Sequence, residues 1–280
     1  MVDLSPTARH TLHDGTTLPL VGFGTYELTG AEGVTAVRHA LDAGYRLLDT
    51  AVSYRNETEV GRAVAASGLD REEVALVTKV PGRRHRSAVE CVEESLRRLG
   101  TDHLDLVLVH WPNPSQGEYE YAWDGLVQAR ERGLTRSIGV SIFNPHHLDR
   151  VIRSVGVTPA VNQVEVHPSF SQAGLLAENA RRGILTQAWS PPGKRQPRYT
   201  DTAVAAPAER LGVTPAQVVL RWHLQRGVLP LPKSATPERQ RENLDLFGFS
   251  LSDDEVAAIT DLTRPDGRLF GGDPDHHEER

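Results

Sequence analysis

Three apolar runs of this chain end in a chemically active side chain: Arg46-Leu47-Leu48-Asp49, Val74-Ala75-Leu76-Val77-Thr78-Lys79 and Leu104-Asp105-Leu106-Val107-Leu108-Val109-His110. Tyr54 lies in the loop after Asp49, and two later runs carry Ser141 and Gln163. A carboxylate, a phenol, an ammonium and an imidazole facing one cavity can deliver a proton to an oxygen that becomes negative. A phenol with an ordinary pKa of about 10 is a weak acid at neutral pH, and a nearby ammonium favours the phenolate and lowers that value. Lys79 supplies such a charge, provided that a carboxylate such as Asp49 pairs with it and keeps its proton in a partly buried mouth. His110 then orients a substrate carbonyl or shares the proton transfer. Each residue alone has a plainer reading, as packing, a polar cap or a structural ion pair. Their joint occurrence at successive strand ends favours chemistry.

Such side chains meet only if their runs are neighbouring parallel strands. Further runs at Leu20–Phe23, Ile138–Ser141, Ala160–Val164, Ile184–Trp189 and Val228–Lys233 bring the candidate strands to eight. Helix-period stretches lie between them at Ala31–Ala43, Asn56–Ser67, Ser87–Leu99 and Tyr119–Arg132, stopped by Gly44, Gly68, Gly100 and Gly133, and Gly183 and Gly227 repeat the signal. The interval from Ser190 to Gly227 has room for two helices, the second starting near Thr214-Pro215. A strand–helix unit repeated in this way, with no linker and no shift in composition, predicts an α/β fold of the (β/α)8 TIM-barrel type in a single domain over residues 1–280. Asp14-Gly15 within residues 11–18 predicts an N-terminal β-hairpin that plugs the barrel, and residues 263–280, rich in Gly, Asp, Pro and His, read as a mobile C-terminal loop or tail.

Composition narrows the function. The 280 residues are 39% hydrophobic and 24% charged, which excludes disorder, collagen and coiled coil. A net charge of −6 offers no cationic field for a phosphate backbone, so no nucleic-acid partner is expected. No apolar stretch is long enough for a membrane span, and Asp3, Arg9, His10 and Asp14 interrupt the place of a signal peptide, so the chain reads as soluble and cytoplasmic. Cys91, the single cysteine, sits in a helical pattern as a small buried residue. Lysine occurs only at positions 79, 194 and 233, and two of these end apolar runs.

The segments Asp49-Thr50-Ala51-Val52-Ser53-Tyr54, Thr78-Lys79, His110-Trp111-Pro112, Ile138-Gly139-Val140-Ser141, Val161-Asn162-Gln163-Val164-Glu165-Val166-His167-Pro168 and Leu231-Pro232-Lys233-Ser234 resemble, in order, the motifs of the aldo-keto reductase family. With Arg264-Pro265-Asp266-Gly267-Arg268 they cover nearly the whole chain, which is most similar to the bacterial 2,5-diketo-gluconate reductase-like branch. The resemblance implies a monomeric enzyme that reduces aldehydes or ketones with NADPH, or oxidises alcohols with NADP+. It implies Tyr54 as general acid, Lys79 and Asp49 as the groups that tune it, and His110 as the group that positions the carbonyl. It further implies Ser141 and Gln163 on the carboxamide, and Trp189, followed by Ser190, stacked on the nicotinamide where the family usually has tyrosine. Lys233, Ser234, Thr236 and Arg239 gather cations, hydroxyls and free helix N–H groups at one spot suited to phosphate, which resembles the family's 2′-phosphate site. Glu242 and Asn243 match positions near the adenine. Tyr26, Trp111, His110 and Phe270 are expected to line the substrate mouth.

Two departures stand out. Ile142 follows Ser141 where the family commonly has Asn, leaving Asn144 as the nearest amide able to replace it, and the loop after Trp189, with Lys194, Arg195 and Arg198, is unlike the usual pyrophosphate clasp. Among rival readings, Gly22-Phe23-Gly24-Thr25-Tyr26-Glu27 lacks the third glycine of a dinucleotide fingerprint, and Thr58 stands where a short-chain dehydrogenase needs Lys. A metal-dependent hydrolase needs more strand-end ligands than Asp49 and His110; His276-His277 reads as solvated, and no metal is expected. A non-catalytic NADPH-binding redox sensor on the same barrel would not need the proton donor.

Overall fold

The computed structural model describes residues 4–194 and 197–279. Two short strands, β1 (Arg9–Thr11) and β2 (Thr17–Pro19), pair antiparallel with His10 opposite Leu18. Eight strands follow: β3 (Phe23–Gly24), β4 (Leu47–Asp49), β5 (Ala75–Val80), β6 (Leu104–Val109), β7 (Thr135–Ser141), β8 (Val161–Glu165), β9 (Leu185–Trp189) and β10 (Leu229–Leu231). They form one sheet in sequence order, and every adjacent pair is parallel. The ends of the sheet meet, because Gly22 N–H donates to Pro230 O at 3.1 Å and Gly24 N–H to Pro232 O at 3.0 Å. Glycine at position 22 leaves room for the ends of the Leu47 and Leu231 side chains, which a Cβ there would force to shift. The predicted TIM barrel is therefore the observed fold.

Helices α1 (Gly30–Ala43), α2 (Glu57–Ala65), α3 (Ala88–Leu99), α4 (Tyr119–Glu131), α5 (Pro145–Val155) and α6 (Ala173–Arg181) each return the chain to the next strand. Helices α7 (Thr202–Leu211) and α8 (Pro215–Gln225) share the interval between β9 and β10, and α9 (Pro237–Leu244) and α10 (Asp253–Thr260) follow the barrel. The anticipated second helix starts where Thr214 accepts the N–H of Gln217, with Pro215 in the first turn. Gly44, at φ 112°, ends α1 in the left-handed region that its missing Cβ permits. Cys91 is buried in α3, and burial pushes its thiol up to about 11, as befits a packing residue. Among the described residues no helix is long and apolar enough to cross a membrane.

Two apolar layers follow from the period-two alternation of the strands. Leu48, Leu76, Val107 and Val109 pack outward with helix residues such as Val37, Val92 and Trp123. Leu47, Ala75, Val77, Leu106, Leu108, Val161, Leu229 and Leu231 pack inward, and Leu12 and Leu18 of the hairpin belong to that inner cluster. His13 contacts Pro159 O at 3.2 Å and Ser137 Oγ donates to Asp14 Oδ2 at 2.6 Å, which fixes the hairpin on the N-terminal ends of β7 and β8. The hairpin thus closes the floor, as expected, although its turn is wider than a two-residue one: Leu12 N–H bonds Thr16 O at 2.8 Å.

Leu18 is fully buried in that floor. Its replacement by Ala should cost about 3 kcal/mol through lost burial and a residual cavity. Urea unfolding should show this loss while turnover persists, since the floor lies at the end away from the reactive groups; a loss below about 1 kcal/mol would mean the hairpin is not part of the core.

Candidate active site

One inward step beyond the apolar layer, the strands change character: Leu47 is followed by Asp49, Val77 by Lys79, Leu108 by His110, Val161 by Gln163 and Leu229, Leu231 by Lys233. The register that fills the floor thus gathers polar groups at the C-terminal mouth. Lys79 is fully buried, and its Nζ donates to Asp49 Oδ2 at 2.7 Å and to Thr50 O at 2.8 Å. The Tyr54 hydroxyl lies 3.4 Å from the same ammonium, brought there by a single 3-10 turn over Val52–Tyr54. The Tyr54 and His110 rings meet edge to face at 5.8 Å. The four predicted reactive residues are brought together.

Burial is the largest influence on Lys79 and works to strip its proton, but the Asp49 carboxylate and the Tyr54 hydroxyl together outweigh it and the lysine pKa is raised. For Tyr54 the balance differs from the expectation. Burial raises the phenol above its ordinary value, and the opposing pull of Lys79 offsets only part of that rise, because Asp49 stands behind the ammonium and cancels some of its field. Lys79 therefore moderates a raised value instead of producing a lowered one.

Gln163 extends the network. Its amide donates to Asp49 Oδ1 at 2.8 Å and to Gln187 Oε1 at 3.0 Å, committing both of its protons and leaving its carbonyl oxygen for a donor. The Ser141 hydroxyl donates to Gln163 O at 3.0 Å. Gln187, which the sequence reading missed, is the next inward residue of β9, and its Nε2 is buried without a partner among the described residues. Trp189 stacks on Phe270 at 5.9 Å, beside Ser190 at φ 49°.

Beyond β10, the Ser234 hydroxyl accepts the N–H of Thr236 at 3.0 Å, and Thr236 precedes α9 without capping it through its side chain. Lys233, Thr236 and Arg239 are exposed around the start of α9, whose first N–H groups receive no side-chain cap from Thr236. Glu242 accepts the Thr214 hydroxyl at 2.6 Å, with Asn243 beside it. Tyr199, also missed, sits close enough to feel the charges of Glu242 and Arg239, and burial pushes its phenol up. Lys194 stands over the Tyr26 ring at 5.1 Å, Arg198 bonds Asp201 at 2.6 Å, and Arg195 lies outside the described residues.

At the rim, Tyr26 is exposed and packs edge-on against Tyr54 at 5.2 Å, while Phe270 is exposed and Trp111 buried. Ile142 adopts φ 63°, a conformation that costs a β-branched residue about 1–2 kcal/mol. Asn144 does not replace the missing amide: it starts α5 and donates to Asp275 Oδ1 at 2.8 Å.

That contact belongs to the largest departure from expectation. Residues 263–279 do not hang free but cross the mouth: Arg264 N–H bonds Ser169 O at 3.0 Å, and Leu269 N–H bonds Glu165 Oε1 at 2.6 Å. Asp275 sits against His146 and His147 at 3.2 and 3.6 Å. His147 Nδ1 accepts the Asn144 N–H at 3.2 Å, so its Nε2 keeps the proton and faces Asp275, which makes the trio a clamp on the tail. His277, expected in solvent, lies on Trp111 at 4.2 Å. Composition signals flexibility but cannot reveal contacts that a tail makes with strands far away in sequence.

Comparison with known proteins gives a consistent picture. A model described as "Aldo/keto reductase family" matches residues 20–264. The chain is 55% identical to 2,5-diketo-D-gluconic acid reductase B of Corynebacterium sp. (strain SHS752001), over 96% of this chain and 97% of that one. It is 42% identical to methylglyoxal reductase DkgA of Escherichia coli (strain K12), over 94% and 96% respectively. Among solved structures, a mutant of Gox0644 in complex with NADPH is 41% identical with a TM-score of 0.92, covering 97% of this chain and 99% of that one. An aldo-keto reductase of Bombyx mori in complex with NADP is 36% identical with a TM-score of 0.87, covering 92% and 94%.

The buried ion pair sets a test. In a Lys79→Met variant, Asp49 remains buried without its cation and holds its proton to higher pH than in the unfolded chain. Such a group adds stability below its unfolded value and loses it as pH rises through the raised folded value. The variant should therefore be about 3 kcal/mol or more less stable than wild type at pH 8 and much closer to it in acid, by urea unfolding. Adding Asp49→Asn should flatten this pH dependence, and a pH-independent loss in the single variant would exclude an unpaired Asp49 as its cause.

Proposed function

The chain belongs to the aldo/keto reductase family, and we propose that Tyr54, Lys79, Asp49 and His110 form the catalytic centre of its NADPH-dependent reduction of aldehyde and ketone carbonyls. The observation that carries this assignment is the buried chain from Gln163 through Asp49 and Lys79 to the Tyr54 hydroxyl. No feature of the mouth favours a sensor without turnover.

The residues fit the cofactor. The free carbonyl oxygen of Gln163, the orphaned Gln187 Nε2 and the Ser141 hydroxyl suit the donors and acceptors of a carboxamide. Trp189 offers an indole face for the nicotinamide, next to Ser190. Lys233, Ser234, Thr236, Arg239 and the uncapped start of α9 suit a 2′-phosphate, with Glu242, Asn243 and Tyr199 near the adenine end. NADPH, when held by these residues, would supply the hydride for the carbonyl carbon. Tyr54, whose raised pKa keeps it protonated at neutral pH, gives its proton to the carbonyl oxygen as negative charge develops there. Lys79 holds positive charge behind the phenolate that remains, and Asp49 and Thr50 O hold Lys79 in place. His110 fixes the direction of the carbonyl, and Tyr26, Trp111 and Phe270 wall the substrate. The reading takes residues 1–280 as one domain acting as a cytoplasmic monomer, as the family implies, with no nucleic-acid or membrane partner; the net charge of −6 supports the first of these absences.

Tyr54→Phe removes the proton donor and leaves the cofactor contacts. Carbonyl reduction should fall by roughly 10²- to 10⁴-fold while NADPH binding, followed by tryptophan quenching, stays within about twofold of wild type; near-normal turnover would sink the assignment. Arg239→Ala should weaken NADPH by about tenfold and NADH little, as loss of one charge-assisted phosphate contact requires. Equal weakening of both cofactors would refute the phosphate site.

A further inference from the structure

Glu279 of the tail lies inside the mouth. Glu279 Oε1 accepts the Ser53 hydroxyl at 2.6 Å and lies 2.6 Å from His110 Nδ1, off the line of an aligned hydrogen bond. Glu279 Oε2 accepts the backbone N–H of Gly82 at 3.2 Å. The backbone of the same residue is held twice by the buried Asn113, whose Nδ2 donates to Glu279 O at 2.9 Å and whose Oδ1 accepts Glu279 N–H at 3.3 Å. Asn113 reaches this position at φ 45°, and a Cβ on residue 82 would overlap its amide. One step earlier, Glu278 accepts the N–H of Ser115 at 2.7 Å.

This is a built pocket for one carboxylate. It offers a hydroxyl donor, a backbone donor and an imidazole, and the side chains of His110 and Glu279 are each about nine-tenths buried within it. Burial alone would raise the Glu279 carboxyl, yet His110, Ser53 and Gly82 hold it below its usual range, so the group seated there is an anion at neutral pH. The resident belongs to a short tether clamped at Asp275 and resting on Trp111 through His277, so it can leave without unfolding the barrel.

We propose that Ser53, Gly82 N–H and His110 form a carboxylate subsite beside the reacting carbonyl, that Glu279 is its tethered occupant, and that small free carboxylates compete with the tail for it. The proposal rests on the assignment of His110 to the carbonyl mouth. It makes the tail a selector: an acidic ligand must displace Glu279, at the millimolar local concentration typical of a short tether, whereas a neutral carbonyl compound gains nothing from its departure. Glu279→Gln removes the resident charge and leaves the receiving groups untouched.

The experiment titrates the full chain with propionate and with its neutral isostere propionamide. Tryptophan emission reports the uncovering of Trp111, and calorimetry reports binding that emission does not. Glu279→Gln should bind propionate about tenfold more tightly than wild type and propionamide no more tightly, since a charge-assisted contact becomes free to the ligand. Adding Ser53→Ala to that variant should return most of the gain. The KM for pyruvate should fall by a similar factor in Glu279→Gln, with that for methyl pyruvate within twofold of wild type. Unchanged propionate affinity, or an equal change for propionamide, overturns the subsite. Propionate binding as expected in a protein whose Tyr54→Phe variant keeps near-normal carbonyl reduction would uphold the subsite and sink the assigned catalytic centre instead.

Discussion

Everything at the mouth depends on keeping a lysine charged where no water reaches it. Lys79 is fully buried, and an ammonium in that position persists only because Asp49 and the Thr50 carbonyl replace its lost hydration at 2.7 and 2.8 Å. Asp49 is itself held by Gln163 across the barrel at 2.8 Å, so the charge pair is tied to β8, and through Gln187 to β9, before it meets Tyr54. The arrangement fixes a direction as well as a charge. With one face of the ammonium spent on Asp49 and Thr50, its remaining donor reaches the phenol.

The barrel serves this pair by dividing its interior into an apolar floor and a polar mouth. The same inward register that packs Leu47, Val77 and Leu108 places Asp49, Lys79 and His110 one step further along β4, β5 and after β6. Leu12 and Leu18 seal the floor and exclude water from below. Rigidity therefore comes from the side of the molecule that does no chemistry, and the mouth can spend its side chains on polar contacts.

That division explains what could be read from the sequence. Runs such as Val74–Lys79 carry both signals at once, a strand and the group at its end, so the barrel and the meeting of Asp49, Tyr54, Lys79 and His110 at its mouth were legible. The sign of the shift at Tyr54 was not, because it depends on how deeply the hydroxyl is buried and on Asp49 standing behind Lys79. Glu279 was illegible for another reason. Its contacts with Ser53 and Gly82 span 226 and 197 residues, and nothing in the composition of the tail announces them. Gln187 could have been found by counting inward positions along β9, two residues before Trp189.

The closure of the barrel has one asymmetry with a wider meaning. Pro230 and Pro232 have no N–H to give, so among the described residues the backbone bonds across the seam between β3 and β10 come from Gly22 and Gly24 and run in one direction. The barrel is in this sense a ribbon with a clasp. Just above the clasp, Lys233 reaches across to Glu27 at 3.6 Å, and both stand on the loops that follow β3 and β10. A ligand gripping both banks there would also shut the ribbon, so occupancy and the integrity of the fold are thermodynamically one equilibrium.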